Sequence, residues 1–150
     1  MARVQVKTYG TELVIRKLLG HARAADDFRP ARPAVAQRVA AGYGRSFNRQ
    51  GPGWQPLKPS TIRRRVGEGY SASPILHKTG RYEAAATNPL ALKIKMTRDS
   101  FAISVNYAVS KFHQTGTKFM PPRRLTLSFG DNAALLKVFN NHLMDGYRQA

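Results

Sequence analysis

Cysteine, acidic residues and long apolar runs are missing or scarce in this 150-residue chain. The absence of cysteine excludes disulfide bonds and thiolate zinc sites. Eight acidic residues stand against 25 lysines and arginines, which gives a formal net charge of +17. No stretch approaches the roughly 20 apolar residues that span a bilayer, and no signal-peptide pattern follows the first charged residues. We therefore expect synthesis in the cytoplasm, no membrane partner, and surroundings that supply negative charge.

Catalytic and metal-binding patterns are also missing from the sequence. The four histidines, His21, His77, His113 and His142, do not have metal-ligand spacing. The sequence has no serine-nucleophile elbow and no glycine-rich phosphate loop. An enzyme such as a nuclease would need acidic metal ligands, and the acidic residues are few and scattered. We therefore predict no catalytic residues, no metal, no cofactor and no enzymatic activity.

The apolar pattern predicts one α+β domain over residues 1–150, with N-terminal helices, a central antiparallel sheet containing a β-hairpin, and a C-terminal helix. Alternation at residues 3–8 predicts a short strand, and helical periodicity follows over residues 11–22 and 33–47. The second helix carries Gly42 and Gly44, which predicts close packing of another backbone there because glycine weakens a helix.

The second half of the chain supplies the predicted sheet. Residues 90–96 and 101–107 alternate between apolar and polar side chains on either side of a short turn, which predicts the β-hairpin. A third strand is predicted at 125–129. Thr79 is predicted to cap a short helix and Asp131 to cap the C-terminal one.

The segment from residue 58 to 74 is predicted to be a mobile loop containing a short basic turn capped by Ser60 and Thr61. Three adjacent arginines in this segment would repel one another unless a polyanion or an acidic partner lay nearby. Trp54, just before it, is either a core anchor or an interface anchor, since tryptophan is common in both roles.

Four stretches of the chain form a recognisable order. They are Trp54-Gln55-Pro56-Leu57 with Thr61, Ile75 to Tyr82, Tyr107-Ala108 with Phe112 to Gly116, and Pro121 to Asp131. Together they resemble the phage virion morphogenesis family, the tail-completion or head–tail joining proteins of Mu-like phages. The first is similar to the family's W-x-P-L…T stretch and the second to its I-L-x-x-T-G-x-L segment, and the last two resemble the stretches that follow in the family.

This resemblance implies a structural protein that forms a homo-oligomeric ring, expected to be a hexamer, at the neck/tail junction of a virion. DNA would pass through the ring, and the partners would be neighbouring neck and tail-tube proteins. We expect two sets of residues to act there. The lumen or DNA-facing set is Lys58, Arg63, Arg64 and Arg65. The subunit-interface set is Trp54, Phe119, Pro121, Pro122 and Arg123.

A second interpretation stays open, in which the chain is a free basic nucleic-acid-binding accessory protein. The net charge of +17 and the aromatic residues on the predicted strands support it. That protein would be monomeric and would bind in a strongly salt-dependent way.

Overall fold

The structure is a computed structural model that describes residues 11–150. The predicted strand at residues 3–8 lies outside the described residues. The helices and strands follow one another as α1 (Thr11–Asp26), a short 3₁₀ turn (Arg29–Ala31), α2 (Arg32–Asn48), α3 (Pro59–Gly67), α4 (Arg81–Thr87), β1 (Leu92–Met96), β2 (Phe101–Val105), α5 (Ser110–Thr115) and α6 (Phe129–Gln149). This α+β order confirms the predicted fold class.

The hairpin pairs β1 with β2 in antiparallel register, with Leu92 opposite Val105 and Ile94 opposite Ile103. In the described part of the chain it is the whole sheet. The third strand predicted at 125–129 is wrong, because residues 125–128 pair with no strand and Phe129 already belongs to α6. The alternation that suggested a strand arises because Leu125 and Leu127 turn inward while Thr126 is exposed.

Two apolar clusters form the core. The first lies between α2, the hairpin and α6, and contains Val35, Ala36, Val39, Ala40, Leu92, Ile94 and Leu135. The second lies around the end of α2 and contains Phe47, Trp54, Leu76, Tyr82, Ala86 and Leu125. Tyr43 and Val105 contact both clusters, so the two are continuous. The apolar side chains that recur every four residues along α2 therefore lie on its buried side, as predicted.

Helix α1 rests on α6 through a close backbone crossing. A Cβ atom at Gly146 would lie 2.8 Å from the carbonyl oxygen of Gly20, so only glycine fits there. His142 on α6 completes the crossing, because its Nε2 lies 3.0 Å from the carbonyl oxygen of Ala24 and 2.8 Å from that of Asp27. A helix's last carbonyl groups have no partner within the helix, and this imidazole donates to them.

Helix α1 nevertheless contributes no buried residue to the core. Its apolar side chains remain roughly half exposed, and they are Leu13, Val14, Ile15, Leu18 and Leu19. The amphipathic helix was predicted correctly, but its apolar side chains lie largely outside the described core.

Helix α6 begins with a reciprocal cap. Ser128 is the N-cap residue, and its hydroxyl accepts a hydrogen bond from the backbone N–H of Asp131 at 3.2 Å. The carboxylate of Asp131 in turn accepts from the backbone N–H and the hydroxyl of Ser128, at 2.8 and 2.7 Å. Asp131 is therefore the third residue of the helix and not its cap, which corrects the prediction.

The buried carboxylate of Asp131 also ties α6 to α2, because it forms an ion pair with Arg45. Gly42, one turn earlier on α2, makes room for this contact. A Cβ atom there would lie 2.7 Å from Leu127 Cδ2 and 3.2 Å from the carboxyl carbon of Asp131. The close contacts at Gly42 are made by side chains of Leu127 and Asp131, and not by the second backbone that was predicted. At Gly44 an added Cβ would make only an ordinary contact, 3.7 Å from the side chain of Thr87.

The segment 58–74 is not a continuous loop, because residues 59–67 form α3. Pro59 occupies the first helical position, where its missing N–H costs nothing, and Lys58 is the N-cap. Ser60 and Thr61 are therefore inside the helix and do not cap it. Thr79 likewise does not cap α4, whose N-cap is Gly80 with a positive φ of 71°.

Candidate functional site

A cleft with a volume of about 510 Å³ lies beside the second apolar cluster. Clefts of roughly 300–1,000 Å³ are the size that binds small ligands. Its walls come from four separate segments, at residues 55–65, 76–82, 107–113 and 119–123. Each segment overlaps one of the four stretches that carry the family resemblance, although Arg64, Arg65 and Phe119 lie outside those stretches. The fold therefore gathers the most distinctive parts of the sequence around one cavity.

Several hydrogen bonds hold these segments together. Trp54 Nε1 donates to the carbonyl oxygen of Arg124 at 2.9 Å, which fixes the first segment against the fourth. The backbone N–H of Arg123 donates to the carbonyl oxygen of His113 at 2.7 Å, which fixes the fourth against the third. Gly116 permits that approach, since it has a φ of 77° and a Cβ atom there would lie 2.9 Å from the nitrogen of Pro122.

Leu76, in the floor of the cleft, has a backbone conformation that is unfavourable for its residue type. Its φ is 61°, in the left-handed region, and its side chain is buried in the second apolar cluster. A bulky residue in that region costs on the order of 1–3 kcal/mol and persists only where the surrounding packing enforces it. The packing against Tyr82 and Trp54 therefore fixes the shape of this wall.

The cleft is strongly basic. Five cationic side chains line it, namely Lys58, Arg64, Arg65, Lys78 and Arg123, and no aspartate or glutamate does. Lys78 is paired with Glu68, and Arg64 lies 3.9 Å from the same carboxylate. Arg65 and Arg123 are buried and bind only backbone carbonyl oxygens.

Aromatic rings form one side of the cleft. The ring of Tyr82 lies 4.9 Å from that of His113 and 5.8 Å from that of Tyr107, measured between centroids. Burial raises the pKa of Tyr82, and a side-chain interaction with Gln114 acts in the opposite direction. Burial and the nearby charge of Arg123 lower the pKa of His113.

The predicted lumen residues separate into two groups. Lys58, Arg63 and Arg64 are exposed, and Arg63 lies outside the cleft. Arg65 is buried, and its guanidinium donates a hydrogen bond to the carbonyl oxygen of Pro74 at 3.0 Å. The prediction that Arg65 faces the lumen or DNA together with its neighbours is therefore corrected. The helical twist of α3 turns Arg65 inward and its two neighbours outward.

The predicted interface residues separate in the same way. Phe119 is 82% exposed, and Pro122 is exposed beside it. Pro121 is half-buried in the cleft wall. Trp54 and Arg123 are buried within the protomer, which corrects their assignment to the subunit interface. The burial of Trp54 supports its interpretation as a core anchor.

Sequence reasoning missed Tyr82, Tyr107, His113 and Lys78 as cleft residues. The signal was present, because Tyr82 and His113 belong to the stretches that resemble the family. Their adjacency depends on contacts between segments that are distant in sequence, which no local pattern reveals.

Comparisons with known proteins add no relative, since no family model, curated protein or solved structure matches the chain. The resemblance to phage tail-completion proteins stays a prediction. In the described residues, no group of three or more histidine, aspartate or glutamate side chains could hold a metal ion. No helix of the described part is both long and apolar enough to cross a membrane.

Proposed function

We propose that this chain is a structural component of a phage virion at the neck/tail junction, as a tail-completion, tail-terminator or head–tail joining protein. It forms a homo-oligomeric ring through which DNA passes. One observation carries the proposal, namely that large apolar side chains remain exposed on α1, at the first residue of α6 and in two turns of the described residues. Leu90, Phe119 and Phe129 are 95%, 82% and 91% exposed, and α1 adds five half-exposed aliphatic side chains.

Apolar surface of this kind favours burial against another protein surface. Subunits of a ring contact their neighbours through two different surfaces, so two separated apolar regions suit a head-to-tail arrangement. Helix α1 provides one such region, and Phe119, near the cleft mouth, provides the other. The charge of +17 opposes association of copies, so this contact has to be apolar or has to use partners that carry negative charge.

The exposed cations complete the proposal. Lys58, Arg63 and Arg64 lie at the start and on the outer side of α3, where they can face DNA in a lumen or an acidic neighbouring ring. Arg65 is left out of this set because it is buried.

The first test is the mass of the purified protein by light scattering at low and high salt, with negative-stain images of the particles. We expect a salt-resistant oligomer with a central opening. Replacing Val14 and Leu18 together by serine removes apolar surface from α1. We expect this variant to remain folded but to form particles of lower mass than the wild type. Lys95→Ser changes an exposed residue of the hairpin instead and serves as the control.

A folded wild-type protein that stays monomeric at every concentration, alone or with partner ring proteins, contradicts the proposal. An antibody against the protein tests its place in the particle. We expect it to label virions at the neck/tail junction, and labelling elsewhere contradicts that position.

The alternative is a free nucleic-acid-binding accessory protein, which the exposed arginines of α3 favour. It predicts a monomer that binds short duplex DNA at low salt and releases it at high salt. Charge reversal by Arg63→Glu with Arg64→Glu separates the two functions. In the accessory protein it abolishes DNA binding by a monomer, whereas in the ring protein it blocks particle joining and leaves the oligomer intact.

A further inference from the structure

Two buried guanidinium groups in the cleft have no carboxylate partner. Arg65 is 8% exposed and Arg123 is 5% exposed, and neither forms an ion pair with any residue from 11 to 150. The first ten residues contain no aspartate or glutamate, so they add no carboxylate. Both charges are instead held by carbonyl oxygens of Pro74, Gln55 and Pro56.

A buried charge without a counter-ion is unfavourable, because carbonyl dipoles replace only part of its hydration. Burial lowers the pKa of Arg65, and the charge of Arg64 lowers it further. Burial also lowers the pKa of Arg123, and the charge of Arg65 adds to the effect. The two buried arginines therefore repel each other across the same cavity.

Two neutral polar groups in the cleft wall also have no partner. The hydroxyl of Tyr82, a residue only 4% exposed, and Nδ1 of His113 are buried and form no hydrogen bond of good geometry with residues 11–150. Gln114 comes close enough to the Tyr82 hydroxyl to lower its pKa, but the geometry between the two groups is too poor for a full hydrogen bond. Buried polar atoms are almost always satisfied in folded proteins, so two of them beside two unpaired cations point to a ligand.

We propose that the cleft binds a phosphate dianion, either free or as the phosphate of a small monoester. Arg65 and Arg123 carry its two charges, and the hydroxyl of Tyr82 donates a hydrogen bond to one of its oxygens. The hydrogen bonds to carbonyl groups use Nη1 of Arg65 and Nε and Nη2 of Arg123, so guanidinium donors remain free on both side chains.

The burial of both arginines argues against the backbone of a DNA duplex as the ligand. Buried guanidiniums inside a cleft do not reach phosphates that lie on the surface of a double helix, whereas a terminal or free phosphate can enter. The rings of Tyr82 and Tyr107 and the side chain of Phe119 leave apolar surface for the organic part of a monoester. Arg63 lies outside this cleft, whereas the exposed Arg64 lines it together with the two buried arginines.

A carboxylate from a second copy of the chain fits the site less well. Six of the eight acidic residues already form ion pairs within the protomer, namely Asp26, Asp27, Glu68, Glu83, Asp131 and Asp145. Only Glu12 and Asp99 are left. A single carboxylate also neutralises one charge, whereas the cleft holds two buried cations.

Titration calorimetry tests the proposal with inorganic phosphate, deoxyadenosine monophosphate and succinate at one ionic strength. We expect one saturable site for phosphate, binding of the monoester at least as tight, and no saturable binding of succinate. Arg65→Gln should weaken phosphate binding about tenfold or more, and Tyr82→Phe about three- to tenfold, as expected for loss of a charged and a neutral hydrogen bond.

Arg63→Gln is the matched control, since it removes the same charge from the outer side of α3. We expect it to leave the phosphate affinity within about twofold. If Arg63→Gln and Arg65→Gln weaken phosphate binding equally, the effect comes from net charge alone, and the proposal is overturned. Absence of saturable phosphate binding, or tighter binding of succinate, overturns it as well.

Tyr82→Phe keeps the volume of the ring, so it gives a result even if Arg65→Gln fails to fold. Unchanged phosphate affinity in Tyr82→Phe refutes the role of that hydroxyl, and with it the assigned geometry. The mass measurement for the ring and the calorimetry for the cleft fail independently, because Val14 and Leu18, which test the α1 contact, lie outside the cleft.

Discussion

Replacing Asp131 by asparagine should destabilise the fold by about 2 kcal/mol at neutral pH. Burial by itself raises the pKa of this carboxylate, but hydrogen bonds from Ser128 and Arg45 outweigh burial and lower the pKa from 3.8 to about 2. Each unit of such a shift corresponds to roughly 1.4 kcal/mol, and asparagine resembles the uncharged carboxyl in shape. For a chain of this length, 2 kcal/mol corresponds to a fall in melting temperature of about 4–8 °C.

The sign of the pH dependence follows from the direction of the shift. Because the folded pKa lies below the unfolded one, the ionised carboxylate stabilises the protein above about pH 4, and this stabilisation is lost as the pH falls through about 2. The difference between wild type and Asp131→Asn should therefore shrink from about 2 kcal/mol at pH 7 to under about 0.5 kcal/mol at pH 2.

Urea denaturation of both proteins at several pH values between 2 and 7 measures this difference. Asp99→Asn is the control, since Asp99 lies in the hairpin turn and forms no ion pair with residues 11–150. Its effect should stay within about 0.5 kcal/mol throughout. A wild-type advantage over Asp131→Asn that is equally large at pH 7 and pH 2 would show that the ionised carboxylate is not its source.

Two further substitutions test the packing. Gly20→Ala places a methyl group against the carbonyl oxygen of Gly146, so we expect a loss of about 1–3 kcal/mol in urea denaturation. Gly67→Ala is the control, because a Cβ atom there meets no atom within 4 Å; the free energy of unfolding should stay the same or rise by up to about 1 kcal/mol. A similar loss of stability in both variants would contradict the close crossing of α1 and α6. Trp54→Phe removes the donor to the Arg124 carbonyl and leaves a void, so unfolding should become easier by about 1–3 kcal/mol. If Trp54→Phe leaves the stability unchanged but lowers the mass of the oligomer, Trp54 acts at the subunit interface and not as a core anchor.

The fold class and most element positions could be predicted because apolar spacing decides them locally. The stripe on α2 and the alternation of the hairpin each reflect one buried side of one element. Residues 125–128 show the weakness of such patterns. Leu125 and Leu127 point inward and Thr126 points outward, so burial alternates as it does in a strand. The segment nevertheless pairs with no strand of the described residues.

The candidate site was only partly predictable. The sequence indicated Lys58, Arg64 and Phe119, which lie around the cleft, and the family resemblance drew attention to all four of its segments. It did not reveal that Arg65 and Arg123 share one cavity, since that depends on packing between residues almost sixty positions apart. Three consecutive arginines look equivalent in a sequence, and only the helical twist of α3 separates the buried one from its exposed neighbours.

The crossing of α1 with α6 also affects how the chain folds. His142 bonds to Asp27 across 115 positions, so α1 cannot settle until almost the entire domain has been synthesised. Closing so large a loop is entropically expensive and slows folding. Until α6 emerges from the ribosome, the leucines of α1 are accessible to chaperones or to other nascent chains. The helix proposed to join subunits is therefore the last to gain its place within its own protomer.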